Sequence, residues 1–550
     1  MAEAPSPADL SILQRRLKGL TREMGLSLLH TARSPILAEA RDFVTGLYDE
    51  RGRMLEQTEY IPVLAFAVQP ALAQVIERFG DDLAPGDVIL HNDVFSGGNQ
   101  LADVCVFRPL FWPPGPGGTE LVAWAAAKGH QADIGGAVGG GYNPRATEVW
   151  QEGLRIPPLK VVERGTLRRD VWDLVFANIR HAVVADDLRA AMGACVVGER
   201  GVHRIVARKG PEAFRRETEA LFAATERRMR AAIAEFPPGV YEGEAAVCAG
   251  MEERGEPLTI RCRVEIRGGE LEVTYPGTSP QTPGFINAPA SASLSAAVLT
   301  LLMILAPDIA HNEGMLRPLS IRLPEGTILA ARYPAATGFG NTLTGAHADA
   351  LFRAFHGARP DRVTAGWNRM LSAVVSGRDP RRDGEPYVDI LFISQKGGSG
   401  ALEGQDGYDH IGLINCAGGM MAQDPEMFES HTPHRILSNE YAPGTRGRGR
   451  WRGGRGTLTR IRLGAPGTRM VVFGDGLTEE TRAFGLAGGG AGAKNRLFLD
   501  LPDGTRVRPR TLDILENLPE GTVLTQVAGG GGGYGPPEPV SLKTETKPRD

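Results

Sequence analysis

Cysteine is scarce: the 550 residues hold five, and Cys105, Cys195, Cys248, Cys262 and Cys416 stand far apart with no Cys-x-x-Cys pair. A disulfide framework is not expected from that pattern, and reduced thiols are the simplest reading. Long apolar runs are missing too. The best stretch, 296–306, falls well short of the roughly 18–20 residues that span a bilayer and reads as a buried helix. The first residues lack the basic-then-apolar order of a signal peptide, so the expected location is the cytoplasm, away from any membrane. Positive charge is not in excess, with 61 Lys and Arg against 65 Asp and Glu and a net charge of -4, which argues against nucleic acid as a partner. No Gly-x-Ser-x-Gly elbow occurs, and no cysteine sits beside a candidate base.

Glycine, by contrast, is abundant, at 71 residues where about 7% of a chain is usual. The clusters at 485–492 and 529–533 lack the Gly-Lys-Ser/Thr ending of a phosphate loop and read as turns or close backbone packing. The Arg-rich run 446–455 reads as an ordered loop with charge-paired arginines. Apolar periodicity predicts helices at 8–32, 69–80, 290–307 and 341–357, with two or three more between 167 and 235. Strand patterns fall at 41–55 (a hairpin), 87–90, 104–110, 120–128 and 240–275. The expected fold is α+β, with mixed, largely antiparallel sheets, helical segments and a Gly-rich C-terminal β region. Composition shifts divide it into 1–236, 237–384 and 385–535, with a disordered tail at 536–550.

The chemistry concentrates between 91 and 160. A polar, glycine-bearing stretch from His91 to Asp103 leads into the predicted hairpin, and a second, His130 to Gly136, leaves it. If strands 104–110 and 120–128 pair, Asp103 and His130 fall at the same open end, and Asp42, at the start of the earlier hairpin, is a plausible third member. Carboxylates with one imidazole suit a divalent ion such as zinc, manganese or iron, which polarises a carbonyl or activates water. From spacing alone, a turn or cap arrangement is the commoner alternative.

Several blocks resemble the hydantoinase B family, which includes subunits of N-methylhydantoinase, 5-oxoprolinase and the acetone and acetophenone carboxylases. They are Arg41-Asp42-Phe43, the run from Asn92 through Gly97-Gly98 to Asp103, His130 to Gly136, and Thr147 to Lys160. Further blocks are Pro307 to Gly314, Gly340-Asn341-Thr342, Asn415 to Gly419, Gly449 to Gly454 and Gly530 to Gly535. Such blocks in order over most of a chain are more specific than any one motif. The resemblance implies a hetero-oligomer in which a hydantoinase A-type subunit binds ATP and activates a carbonyl, while this chain completes hydrolysis of a cyclic amide. Carboxylation of a ketone and a non-catalytic scaffold are the alternatives. Carried over residue by residue, it implies a divalent metal on Asp42, Asp103, His130 and Asp133, with His130 and Asp133 catalytic. Where the family pattern has histidines, this chain has Leu64, Gln100 and Gln131.

Overall fold

A computed structural model of the chain describes residues 5–115, 117 and 119–537. From 538 onward, the tail expected to be disordered lies outside the described residues. The first helix, Pro7–Thr31, starts at a capping box in which the Ser6 hydroxyl accepts from the Asp9 N–H and the Asp9 carboxylate accepts from the Ser6 N–H. Its stripe of Leu13, Leu17, Leu20, Met24 and Leu28 is buried and lies against the helix Val183–Lys209. Gly201 makes that approach possible, because a Cβ there would stand 2.2 Å from a Leu20 methyl.

These helices cover one seven-stranded sheet. Its strands are β1 (Phe43–Asp49), β2 (Met54–Glu59), β3 (Val88–His91), β4 (Asp103–Trp112), β5 (Glu120–His130), β6 (Leu159–Glu163) and β7 (Thr166–Leu167), in the order β2-β1-β5-β4-β3-β6-β7. The predicted β4–β5 hairpin is present and longer at its open end, so that Asp103 and His130 are themselves a cross-strand pair. Opposed residues in an antiparallel ladder project to the same face, which puts carboxylate and imidazole side by side. β1 lies on the other side of β5, with Phe43 opposite Gly129, so Asp42 arrives at the same edge.

Three helices, Arg169–Ala177, Val183–Lys209 and Pro211–Ala234, fill the predicted helical stretch. A four-stranded sheet follows, with β8 (Gly239–Val247), β9 (Leu258–Arg267), β10 (Glu270–Thr274) and β11 (Leu319–Arg322); only β10 and β11 pair in parallel. The expected division near 237 falls between the helix ending at Ala234 and β8. That near 385 coincides with the start of the strand Glu385–Ile390, which pairs with Leu371–Asp379. Helices Ala290–Leu305 and Thr344–Ala358 pack on each other, the second also on β8. Two antiparallel sheets form the C-terminal region, giving the α+β architecture as a whole. No helix among the described residues is long and apolar enough to cross a membrane.

The glycine clusters interlock as backbone. Gly531 N–H donates to Gly454 C=O, Gly532 N–H to Gly366 C=O and Gly533 N–H to Gly490 C=O. A Cβ on Gly531 would stand 1.7 Å from the Ser399 carbonyl oxygen, with backbone rather than side chain as the obstacle. Overpacking of this kind costs about 1–3 kcal/mol or more. Gly531→Ala is therefore expected to lower the melting temperature by about 1–3 °C or more, or to abolish soluble expression; an unchanged melt would contradict the packing. The neighbouring arginine run is ordered, with Arg446 and Arg455 both paired to Asp409.

Candidate active site

Three strand ends converge on one small cavity. Asp42, just ahead of β1, accepts the His130 N–H on its backbone carbonyl at 3.0 Å. Asp103, opening β4, sets its Oδ1 2.7 Å from His130 Nδ1. Its Oδ2 accepts from the side-chain amides of Asn99 and Asn341, the latter at 3.1 Å. Asn341 also donates to Gln100 Oε1 at 2.9 Å, and Gln100 Nε2 donates to the Gly338 carbonyl at 3.0 Å. The Glu152 carboxylate holds that segment by accepting the N–H groups of Thr337 and Gly338 at 2.8 and 2.6 Å. Gln100 thus ties Asn341, and through it Asp103, to the Gly338 segment, and its side chain also bonds Tyr142.

With Nδ1 engaged, His130 Nε2 is left buried without a hydrogen-bond partner. The ring stacks on Tyr142 at 5.7 Å between centroids, and Tyr142 in turn stacks on Phe473 of the strand Thr468–Gly474 at 4.2 Å. The C-terminal region therefore closes a site whose titratable groups Asp42, Asp103 and His130 come from the N-terminal sheet. Asp42, His130 and Asn341 line the cavity together with Ile61, Val63, Ile390 and Met420, among others. Its space for water, about 30 Å³, accommodates one or two molecules, each needing upwards of roughly 10–15 Å³.

The buried charges set each other's protonation. Burial raises the Asp42 carboxyl to about 7; the imidazole of His130 offsets part of this and the charge of Asp103 adds to it. Burial opposes a charge on His130, but its hydrogen bond to Asp103 and the two carboxylates prevail and raise it. Burial likewise works against the ionised Asp103, yet His130, Lys128 and Asn341 hold it below the usual carboxylate range. An ion pair beside a carboxyl poised near neutrality is the result.

Asp133, expected in the same cluster, is placed elsewhere. Its Oδ1 takes Arg180 Nη1 at 3.0 Å, and its Oδ2 takes the N–H groups of Arg180 and Gly135 at 2.7 and 3.3 Å. It fastens the turn after β5 to the segment ahead of the helix Val183–Lys209. The structure brings together Asp42, Asp103 and His130, and not Asp133. Asp103 is engaged at both oxygens, by His130 Nδ1 and by the amides of Asn99 and Asn341, which leaves the Asp42 carboxylate and His130 Nε2 as the carboxylate and imidazole donors that could face an ion. Among the described residues no group of three or more His, Cys, Asp or Glu side chains is placed to hold a metal.

A family model, hydantoinase B/oxoprolinase, matches residues 6–537. The chain belongs to that family. Among hydantoinase B/oxoprolinase proteins it is 36% identical to caprolactamase subunit beta of Pseudomonas jessenii over 96% of this chain and 91% of that one. The crystal structure of the ATP-dependent caprolactamase from Pseudomonas jessenii superposes with a TM-score of 0.89 at 34% identity, covering 97% of this chain and 92% of that one. A nucleotide-free acetone carboxylase structure shares the fold, with a TM-score of 0.85 at 20% identity, covering 96% of this chain and 76% of that one.

A second buried carboxyl lies behind the cavity wall. Burial pushes Asp389 up to about 8, with Gln423 lowering it and Glu39 raising it. Because the folded chain holds that proton more tightly than the unfolded one, the stability it contributes is complete below about pH 4 and lost as pH rises through about 8. Asp389→Asn is expected to match the wild type at pH 4 or below and to melt higher at pH 9. A difference that does not grow between those two pH values would show that Asp389 is ionised throughout.

Proposed function

We propose that this chain is the B-type subunit of an ATP-dependent cyclic amidase, acting beside an ATP-binding hydantoinase A-type subunit in a hetero-oligomer. The observation that carries the reading is the buried His130 Nε2, without a protein partner, at a mainly apolar cavity in a chain alike over nearly its whole length to caprolactamase subunit beta. Amide resonance makes a lactam carbonyl a poor electrophile. The partner transfers the γ-phosphoryl of ATP to the carbonyl oxygen, releasing ADP and leaving a C=N bond that water attacks.

Asp42, poised near neutrality, takes the proton of the attacking water, and the His130 imidazolium gives its Nε2 proton to the ring nitrogen as the C–N bond breaks. Asp103 holds Nδ1 and so fixes the direction of that transfer. The ring opens to an acyl phosphate, and a second water yields the amino acid and inorganic phosphate. Two waters and one ATP are consumed per ring. The cavity as it stands has room for the attacking water and not for the ring, and the residues lining it include no Lys or Arg that would draw a carboxylate-bearing substrate to it.

The test is an assay of this chain purified with its ATP-binding partner. Neutral lactams are expected to open with one ADP formed per amino acid, and neither subunit alone should turn over. Bicarbonate-dependent consumption of a ketone with no lactam opened would assign the chain to carboxylation. No turnover of either substrate by an intact complex would make it a scaffold.

A further inference from the structure

The family pattern places imidazoles where this chain has Leu64, Gln100 and Gln131, and the structure shows what stands in their place. Leu64 is buried in the apolar core. Gln131 turns its amide nitrogen to the Gly129 carbonyl at 2.9 Å. Gln100 is tied at both ends, to Asn341 and to Gly338. Gln131 Oε1 is buried without a partner, but none of the three residues lines the cavity.

The remaining donors are also mostly taken. Asp103 Oδ1 is bound by His130 and Oδ2 by the N–H groups of Asn99 and Asn341. Those amides present the positive end of their dipoles to the place a cation would approach. Of the carboxylate and imidazole donors here, two remain free, the Asp42 carboxylate and His130 Nε2; the unpartnered amide oxygens of Asn99 and Gln131 are weaker neutral donors. A catalytic zinc takes three protein ligands and a structural one four.

We infer that this chain's centre is a carboxylate–imidazole pair buttressed by amides, working without a resident metal ion, and that Gln100 is the residue that makes it so by fixing Asn341 against Asp103. The inference rests on the acid–base reading above, but metal uptake is measured without any substrate, so the two can fail separately. Asn99 and Asn341 do here what further ligands would do around an ion: they hold the Asp103 carboxylate still. The Asp103–His130 contact then orients a proton donor.

The experiment measures metal in the co-purified complex by mass spectrometry, with zinc, manganese and iron offered during growth. The expected content is below about 0.1 equivalent per chain, with melting temperature changed by less than about 1 °C on adding zinc or a chelator. Metal near one equivalent that His130→Ala and Asp42→Ala both remove would overturn the inference. Metal that survives both substitutions lies elsewhere and leaves the centre as described. Gln100→His frees Asn341 and supplies an imidazole, and should raise zinc uptake at least tenfold over wild type. Equal uptake in the two would overturn the role given to Gln100. Both proteins are first checked for the same elution volume and partner binding.

Discussion

His130→Gln in the assembled enzyme is expected to lower kcat by about 10²–10⁴-fold, the usual contribution of a positioned acid or base. The substitution keeps an amide donor for Asp103 Oδ1, so the 2.7 Å contact that orders the strand ends has a substitute and the melting temperature should change little. What is lost is a group that can deliver a proton to the departing nitrogen. Asp42→Asn should have a comparable effect for the complementary reason, since the amide cannot take the proton of water. Asp133→Asn supplies the contrast. Both Asp133 oxygens face Arg180 or a backbone N–H, so its loss should loosen the turn after β5 and cost no more than about tenfold in kcat. Ordering the three by rate separates two geometries: Asp133 as damaging as His130 would place it at the reacting atoms.

That contrast also marks what the sequence could and could not disclose. The meeting of Asp103 and His130 was legible because it depends only on hairpin register, a local property of alternating strands joined by a short turn. Asp42 followed from a second hairpin with the same logic. Asn341 was not legible as a site residue, though its Gly-Asn-Thr block was visible, because it comes 238 residues after Asp103 and nothing local forecasts which strand end a distant 3-10 turn will meet. Asp133 has the residue type of a ligand, and only the loop carrying Arg180 decides that it is a clamp. The glycine clusters were readable as close packing, since they lacked the residues a phosphate loop needs. Which carbonyl each would face could not be read, because that is settled by five segments meeting at once. Tyr142, which closes over His130, gave no signal at all: its role depends on Phe473 arriving from another sheet.

The dependence of an N-terminal site on C-terminal packing leads to the largest stability effect expected here. Arg369 is buried and bridges three parts of the chain. Its Nε and Nη2 reach Asp349 Oδ2 at 3.0 and 2.7 Å on the helix Thr344–Ala358, and its Nη1 reaches Asp475 Oδ2 at 2.6 Å beyond the strand Thr468–Gly474. Nη1 also donates to the Ala246 carbonyl of β8. Burial opposes the guanidinium charge, but the two carboxylates outweigh it and hold the proton. Burial pushes the Asp349 carboxyl upward against the pull of Arg369 and Arg353, so removing Arg369 strips both acids of the guanidinium that pairs with them. Breaking a buried pair in this way costs about 3–5 kcal/mol, whereas replacing all its members by uncharged groups costs far less. Arg369→Met is therefore expected to lower the melting temperature by about 3–5 °C, and the triple variant Arg369→Met, Asp349→Asn, Asp475→Asn to recover most of that loss. Equal melts for the single and triple variants would show that the hydrogen bond to Ala246, not charge, carries the stability. Because the next residue, Met370, lines the cavity, the single variant should also weaken lactam turnover at temperatures where the chain remains folded, through a wall that no longer closes over His130.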